Sequence, residues 1–368
     1  MDSNNDPNLV LNELGVCNHC ISYDEAYKLL PNDDLKLRSL HRIVKEIKDS
    51  NTNEKYDAVL GVSGGVDSTY LAFIAKKLGL RLLLVHCDNG WNSELSVKNI
   101  EGIIKNTGFD LHTHVLDWEE FRDIQLSFFK AGVVDIELPY DYALIVLMYQ
   151  IAEKYKIKNV LSGHNLVTEG TYLPKSWVHS KVDIINIKAI HKQFGRVPMK
   201  TFPHMSVLKW IYATRNRSKS YRLLDYVDYN KAEAKATIIK EFGWRDYGGK
   251  HYESIFTRFY QGYILPEKFK IDKRQYHLST LICSGQITRE EALAEFAKPK
   301  YDEAQLKMDK EYVIKKLGFT EQSFDEYMKA PIHKHSDYPN IQQFWDRYFK
   351  VIKVFKPFIK PIKTLLGK

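Results

Sequence analysis

The sequence predicts an α/β fold: a parallel sheet with helices on both faces, a small cysteine-containing N-terminal segment and a helical C-terminal region. Three observations predict it. Short apolar runs at 58–62, 81–86, 110–116 and 158–162 read as buried strands. Helical periodicity fills the intervals, at 66–78, 93–106, 118–130 and 139–156. Alternation of this kind needs crossovers, which give parallel pairing and cover both sheet faces. The third observation is Ser63-Gly64-Gly65-Val66-Asp67-Ser68, which follows the first strand and opens the first of these helices. A glycine-rich turn between strand and helix offers backbone N–H groups, and the positive end of a helix dipole, to an anion.

The elements divide the chain at 1–50, 51–240, 241–344 and 345–368. Met1 to Asn12 is polar. Cys17-Asn18-His19-Cys20 then places two thiols at C-x-x-C spacing after Gly15. This pair reads as half of a zinc site, as a redox pair or as two unliganded thiols. Residues 33–48 carry Leu37, Leu40, Val44 and Ile47 at helical spacing. Residues 182–220 are irregular, with many Lys, His and aromatic residues, and support no assignment. Helices are expected at 229–242 and 253–263, with a loop between them. A last helix over 284–296 ends the compact region, with a stop near Pro299.

In a parallel sheet, ligands sit beyond the carboxyl ends of the strands. Two polar clusters fall there: His86 to Asn92 after the second strand, and Ser162 to Asn165 with Thr168-Glu169-Gly170 after the fourth. Each alone is an ordinary turn; aligned with 63–68 they suggest one shared site. Trp91 is either a stacking surface for a base or sugar, or a cap on the core. Residues 266–274 hold four cations, which form a solvated face or, beside an anion site, supply Lys273 and Arg274 to a leaving phosphate.

Bulk properties narrow the classes. The chain has 368 residues, 44% of them hydrophobic and 27% charged, as in an ordinary soluble protein. Four cysteines and no leader pattern point to a reducing cytoplasm. The longest apolar run, Ala143 to Met148, is too short to span a bilayer. Net charge is +8, but 345–368 holds seven basic residues against Asp346 alone, a net of +6 that leaves +2 for the rest. Nucleic acid is therefore not the expected partner. The tail itself, lysines spaced among apolar residues and broken by Pro357 and Pro361, reads as contact with a membrane surface or a packed terminus. The protein is thus expected in the cytoplasm, peripheral to the inner membrane.

The loop at 63–68 resembles the pyrophosphate loop of the ATP pyrophosphatases. Longer stretches resemble the N-acetyl sugar amidotransferases of bacterial surface-polysaccharide (O-antigen) pathways: 15–20, 63–68, 88–94, 163–170, 268–274 and 277–293. The resemblance spans about 2 to 302 and implies the HUP, or adenine nucleotide alpha hydrolase-like, version of the fold. It also implies an ATP-dependent ligase that adenylates the acetamido oxygen of a nucleotide-linked sugar and substitutes ammonia, giving an acetamidino group. Backbone and hydroxyls of Ser63, Gly64, Gly65, Val66, Asp67 and Ser68 would hold phosphates, with Asp67 positioning Mg²⁺. Gly61, Val85 and Gly163 would receive the nucleoside. Asp67, Glu169, Lys273 and Arg274 are the expected catalytic residues, Glu169 as base or ammonia-positioning group.

No residue pattern fits a built-in glutaminase: position 2 is Asp, and Cys87 lies in His86-Cys87-Asp88, which is no nucleophile elbow. The resemblance implies that separate glutaminase and cyclase-like subunits supply ammonia. It also implies a second C-x-x-C to complete a zinc site with Cys17 and Cys20. The 368 residues contain none, and Cys283 lies too far along the chain to read as its substitute. Two other readings remain: a tRNA-thiolating enzyme with the same ATP chemistry, needing reactive cysteines near the loop, and a non-catalytic nucleotide-binding subunit.

Overall fold

The computed structural model describes residues 6–50, 55–171, 173–174, 176–249 and 252–348. Most of the basic tail, 349–368, lies outside the described residues, so the membrane-contact expectation is carried by residues with no structural description.

Five strands form one parallel sheet in the order β3-β2-β1-β4-β5. They are β1 (Ala58–Gly61), β2 (Leu82–Asp88), β3 (Asp110–Val115), β4 (Asn159–Leu161) and β5 (Lys219–Tyr221). The first four match the sequence reading within two residues at each end. The fifth lies in the stretch that supported no assignment. Exposed Lys219 and Ser220 with half-buried Tyr221 carry no apolar run, and only pairing with β4 extends them.

Side chains alternate across the sheet, as strand geometry requires. Ala58, Leu60, Leu82 and Leu84 face one buried cluster; Val59, Leu83, Val85 and Cys87 face the other. The first is covered by α2 (Asp33–Ser50), which follows the short α1 (Asn18–Lys28), and by α3 (Val66–Lys77) and α4 (Glu94–Thr107). The second is covered by α5 (Trp118–Ala131) and α6 (Leu138–Lys154). Beyond β4 come α7 (Leu166–Glu169), α8 (Ile184–Phe194), α9 (Val207–Tyr212) and, after β5, α10 (Lys231–Phe242).

The C-terminal region corrects the sequence reading. The expected helix over 253–263 is α11 (Ile255–Phe259), a π turn over Tyr260–Ile264, and α12 (Leu265–Phe269). The expected helix over 284–296 is α14 (Arg289–Phe296), which starts only after Thr288 from a capping box with Glu291, and it is preceded by α13 (Lys273–Cys283), which the sequence reading did not assign and which stops at Ser284 and Gly285. The compact region does not end near Pro299 either. Helices α15 (Glu303–Leu317) and α16 (Glu321–Lys329) bury Val313, Ile314, Leu317 and Phe324 in the same core. Among the described residues, no helix is long and apolar enough to cross a membrane.

The C-terminal region is stitched to the loop after β2 by backbone hydrogen bonds. Ser93 N–H donates to the Glu253 carbonyl at 2.9 Å, and Ile255 N–H to the Trp91 carbonyl at 2.9 Å. This stitch sets the start of the region beside the loop after β2.

Candidate active site

Strand order reverses at β1, whose neighbours are β2 and β4. The crevice beyond such a switch point is where open α/β sheets bind ligands. Two glycines make the crevice close-packed. Gly64, between β1 and α3, has φ +80°, a left-handed conformation open to glycine. Gly163, after β4, lies against α3, where a Cβ would stand 3.3 Å from the Ser68 nitrogen.

The turn is braced from behind. The Gly64 carbonyl accepts hydrogen bonds from Trp244 Nε1 at 2.7 Å and from the Tyr247 hydroxyl at 2.5 Å, and the Ser63 carbonyl from Ser96 Oγ at 3.0 Å. With the carbonyls occupied, the turn offers its N–H side. Gly65 caps α3 with no side-chain hydrogen bond to the first turn, so Val66, Asp67 and Ser68 begin a helix whose leading N–H groups lack a side-chain cap. An anion suits that position.

The hydroxyls named from sequence are engaged within the protein. Ser63 Oγ donates to Glu253 Oε1 at 3.3 Å, and Ser68 Oγ to the Gly65 carbonyl at 3.3 Å. Gly61 pairs with Val85 in the sheet; Val85 is buried, and its carbonyl accepts from Val62 N–H at 2.9 Å. Trp91 is core, not a stacking rim: it is fully buried, with its indole N–H on Gln125 at 3.1 Å.

Asp67 is held at one oxygen. The Tyr229 hydroxyl donates to Oδ1 at 2.5 Å and Asn165 Nδ2 to the same atom at 3.4 Å. Oδ2 accepts from none of the described residues. A carboxylate fixed this way presents one oxygen, which fits a Mg²⁺ ligand. Burial, then the Asp67 charge, push the Tyr229 hydroxyl far above its usual pKa, so it remains a donor. Glu169 ends α7; its carboxylate lies 3.8 Å from His164 Nε2, and its carbonyl accepts from the Tyr276 hydroxyl.

Lys273 is not on a solvated face. It is half-buried, near Asp135, Glu137, Asp141 and Lys181. Lys181 bridges Asp135 and Asp141, each at 2.7 Å. Burial lowers the Lys273 pKa while Glu137 opposes it, and burial raises that of Glu137 while Lys273 opposes it. Arg274 pairs with Asp272 at 2.9 Å and donates to the Lys298 carbonyl. Lys273 and Arg274 both line a cleft of about 670 Å³ with Tyr247, Tyr252, His277 and Tyr301. Tyr247 also touches Gly64, so the cleft adjoins the loop.

Sequence reasoning missed Tyr229, Glu253 and the acids at 135–141; Asn165 it placed in the cluster after the fourth strand, but not as a partner of Asp67. The acids had a signal: three carboxylates interrupting an apolar stretch seldom sit there unpaired. Tyr229 and Glu253 had none, since only tertiary contact reveals their part in the site.

The thiols bring a further correction. Cys283, dismissed on sequence distance, has its Sγ 3.9 Å from Cys20 Sγ, which in turn lies 3.4 Å from Cys17 Sγ. As the side chains stand, no three ligands among the described residues close round one point. Cys87 is buried, and desolvation pushes its thiol up to about 12, the reverse of what a sulfur-transferring nucleophile needs.

Fold and site together define an α/β protein with an anion-accepting turn at its topological switch point. Over residues 253–352 the chain is more particular: this segment matches the family described as LPS biosynthesis protein WbpG-like, C-terminal domain. Comparison with curated proteins gives no match. Among solved structures, the chain is similar to NMN synthetase from Francisella tularensis, at 16% identity over 57% of this chain and 87% of that one, with a TM-score of 0.31. It is also similar to the NH3-dependent NAD synthetase from Campylobacter jejuni subsp. jejuni in complex with the nitrate ion. That match has 16% identity over 79% of this chain and 98% of that one, with a TM-score of 0.32.

Proposed function

We propose that the protein is an ATP-dependent amidotransferase of lipopolysaccharide biosynthesis, acting on a nucleotide-linked N-acetyl sugar. The observation that carries this reading is the uncapped turn at 63–68, braced by the segment that leads into the matched C-terminal domain. In the proposed reaction the acetamido oxygen attacks the α-phosphorus of ATP and pyrophosphate leaves. Ammonia then adds to the activated carbon, AMP departs with the oxygen, and loss of a proton leaves the acetamidino group. An amide oxygen is a poor leaving group until it is adenylated, which is why ATP is spent.

The roles follow the geometry. The leading N–H groups of α3 hold the β and γ phosphates, and Gly163 lets the nucleotide approach the helix start. Asp67 would hold a Mg²⁺ ion, which would neutralise phosphate charge. Glu169 orients the incoming ammonia. Lys273 and Arg274, in the adjoining cleft, face the anionic parts of the substrates. Ammonia comes from separate glutaminase and cyclase-like subunits, and the substrate places the reaction in the cytoplasm.

The test is incubation with ATP, Mg²⁺, ammonium and a panel of UDP-linked diacetamido sugars, read by mass spectrometry and by release of AMP and pyrophosphate. Replacement of one carbonyl oxygen by NH is expected, and Asp67→Ala should lower turnover at least about 100-fold, as loss of a key electrostatic group does. Pyrophosphate release that is equal with and without sugar, or a fully active Asp67→Ala, contradicts the reading.

A further inference from the structure

We propose that Glu253 is a specificity-determining residue of the phosphate turn: its carboxylate makes the turn select ATP already complexed with Mg²⁺ and reject bare polyphosphate anions. The inference rests on the reading of 63–68 as the ATP phosphate site, and adds a residue to which that reading gives no role.

The placement of the carboxylate carries it. Glu253 Oε1 accepts from Ser63 Oγ at 3.3 Å, and a Cβ on Gly65 would stand 3.4 Å from the same oxygen. Gly65 is the cap of α3, directly before the leading N–H groups that invite an anion. A side chain of negative charge therefore borders the place where the turn attracts negative charge. The backbone pins it there from both sides. The Glu253 carbonyl accepts from Ser93 N–H at 2.9 Å, Ser254 pairs with Asn92 in an antiparallel bridge, and Ser254 Oγ caps α11. Only rotation of the side chain can move the carboxylate. Its charge is also felt at the brace behind the turn. Burial, opposed by a hydrogen bond with Asn99 and reinforced by the Glu253 charge, raises the pKa of the Tyr247 hydroxyl and keeps it a donor to the Gly64 carbonyl.

Backbone N–H groups attract any anion, so they do not tell one polyphosphate from another. A carboxylate beside them does. Like charges a few ångströms apart, partly shielded from water, repel strongly. Pyrophosphate, or ATP without a cation, meets that repulsion in full. ATP that carries Mg²⁺ brings the positive charge that offsets it. Selectivity then comes from a built-in penalty against the wrong ligand as much as from attraction of the right one.

The experiment is calorimetric titration of the full chain and of Glu253→Gln with three probes: ATP with excess Mg²⁺, ATP with a chelator, and pyrophosphate with a chelator. Glutamine keeps the size of the side chain and its hydrogen bond to Ser63, and removes the charge. The variant should bind cation-free ATP and pyrophosphate at least tenfold more tightly than the parent, while its affinity for magnesium-complexed ATP changes by less than about threefold. Glu321→Gln, which removes an exposed charge on α16, should leave all three affinities as in the parent. Equal affinity of parent and Glu253→Gln for the two cation-free probes overturns the proposal. So does a tenfold loss of magnesium-complexed ATP in the variant, which would make Glu253 a holder of the cation and not a filter. In either case intact binding of magnesium-complexed ATP by the parent leaves the nucleotide reading of the turn standing. If the parent binds ATP in neither form, that reading falls and the proposal falls with it.

Discussion

Gly64 shows how much one residue carries. Its φ of +80° costs an L-residue about 1–2 kcal/mol before any clash, and a Cβ would stand 2.8 Å from both the Ser96 carbonyl and the Tyr247 hydroxyl. Gly64→Ala should therefore lower stability by at least that amount and weaken nucleotide binding more than tenfold. Urea melts and nucleotide titration check both; a variant normal in each would show that the turn tolerates the change. Gly64 was legible in the sequence because glycine between a strand and a helix has a specific steric use. Asp67 was legible as a carboxylate in the loop, but not as one clamped at a single oxygen, because the clamps Tyr229 and Asn165 come from distant segments.

At the scale of elements, the C-terminal segment is locked to α8 through His335. Its Nδ1 lies 2.7 Å from Asn186 Oδ1, its Nε2 accepts from Asp135 N–H at 3.3 Å, and its ring stacks on His179 at 4.4 Å. A proton on Nε2 would face that donor. Burial, opposed by Asp135 and reinforced by His179 and Lys181, depresses the His335 pKa to about 4. The folded value lies below the unfolded value of about 6.5. The stabilisation is therefore complete above about pH 6.5 and is lost as pH falls toward 4, by about 3 kcal/mol. Thermal melts between pH 7 and 4 should show this slope, and His335→Gln should flatten part of it. An identical slope in the variant would remove His335 as the cause. The carboxylate of Asp135, whose pKa lies below its usual value, adds to the parent slope, so the difference between the two proteins is the informative quantity.

For the whole molecule, the late helices complete the core. Val313, Leu317 and Phe324 are almost fully buried, and Arg258 pairs with Asp309 at 2.6 Å. Each buried apolar side chain contributes about 1.5–3 kcal/mol, and folded domains have only about 5–15 kcal/mol to lose. A chain cut after residue 302 is expected to lose cooperative unfolding and bind a hydrophobic dye; a sharp melt would show that 303–348 is an appendage. The sequence by itself determined the parallel α/β core and the phosphate-loop turn, because strand runs, helical periodicity and glycine chemistry are local signals. It did not reveal β5, α15 and α16 as parts of the core, the charged surroundings of Lys273, or the meeting of Cys20 with Cys283. Those depend on contacts between segments tens to hundreds of residues apart, where packing and pairing decide what local composition leaves open.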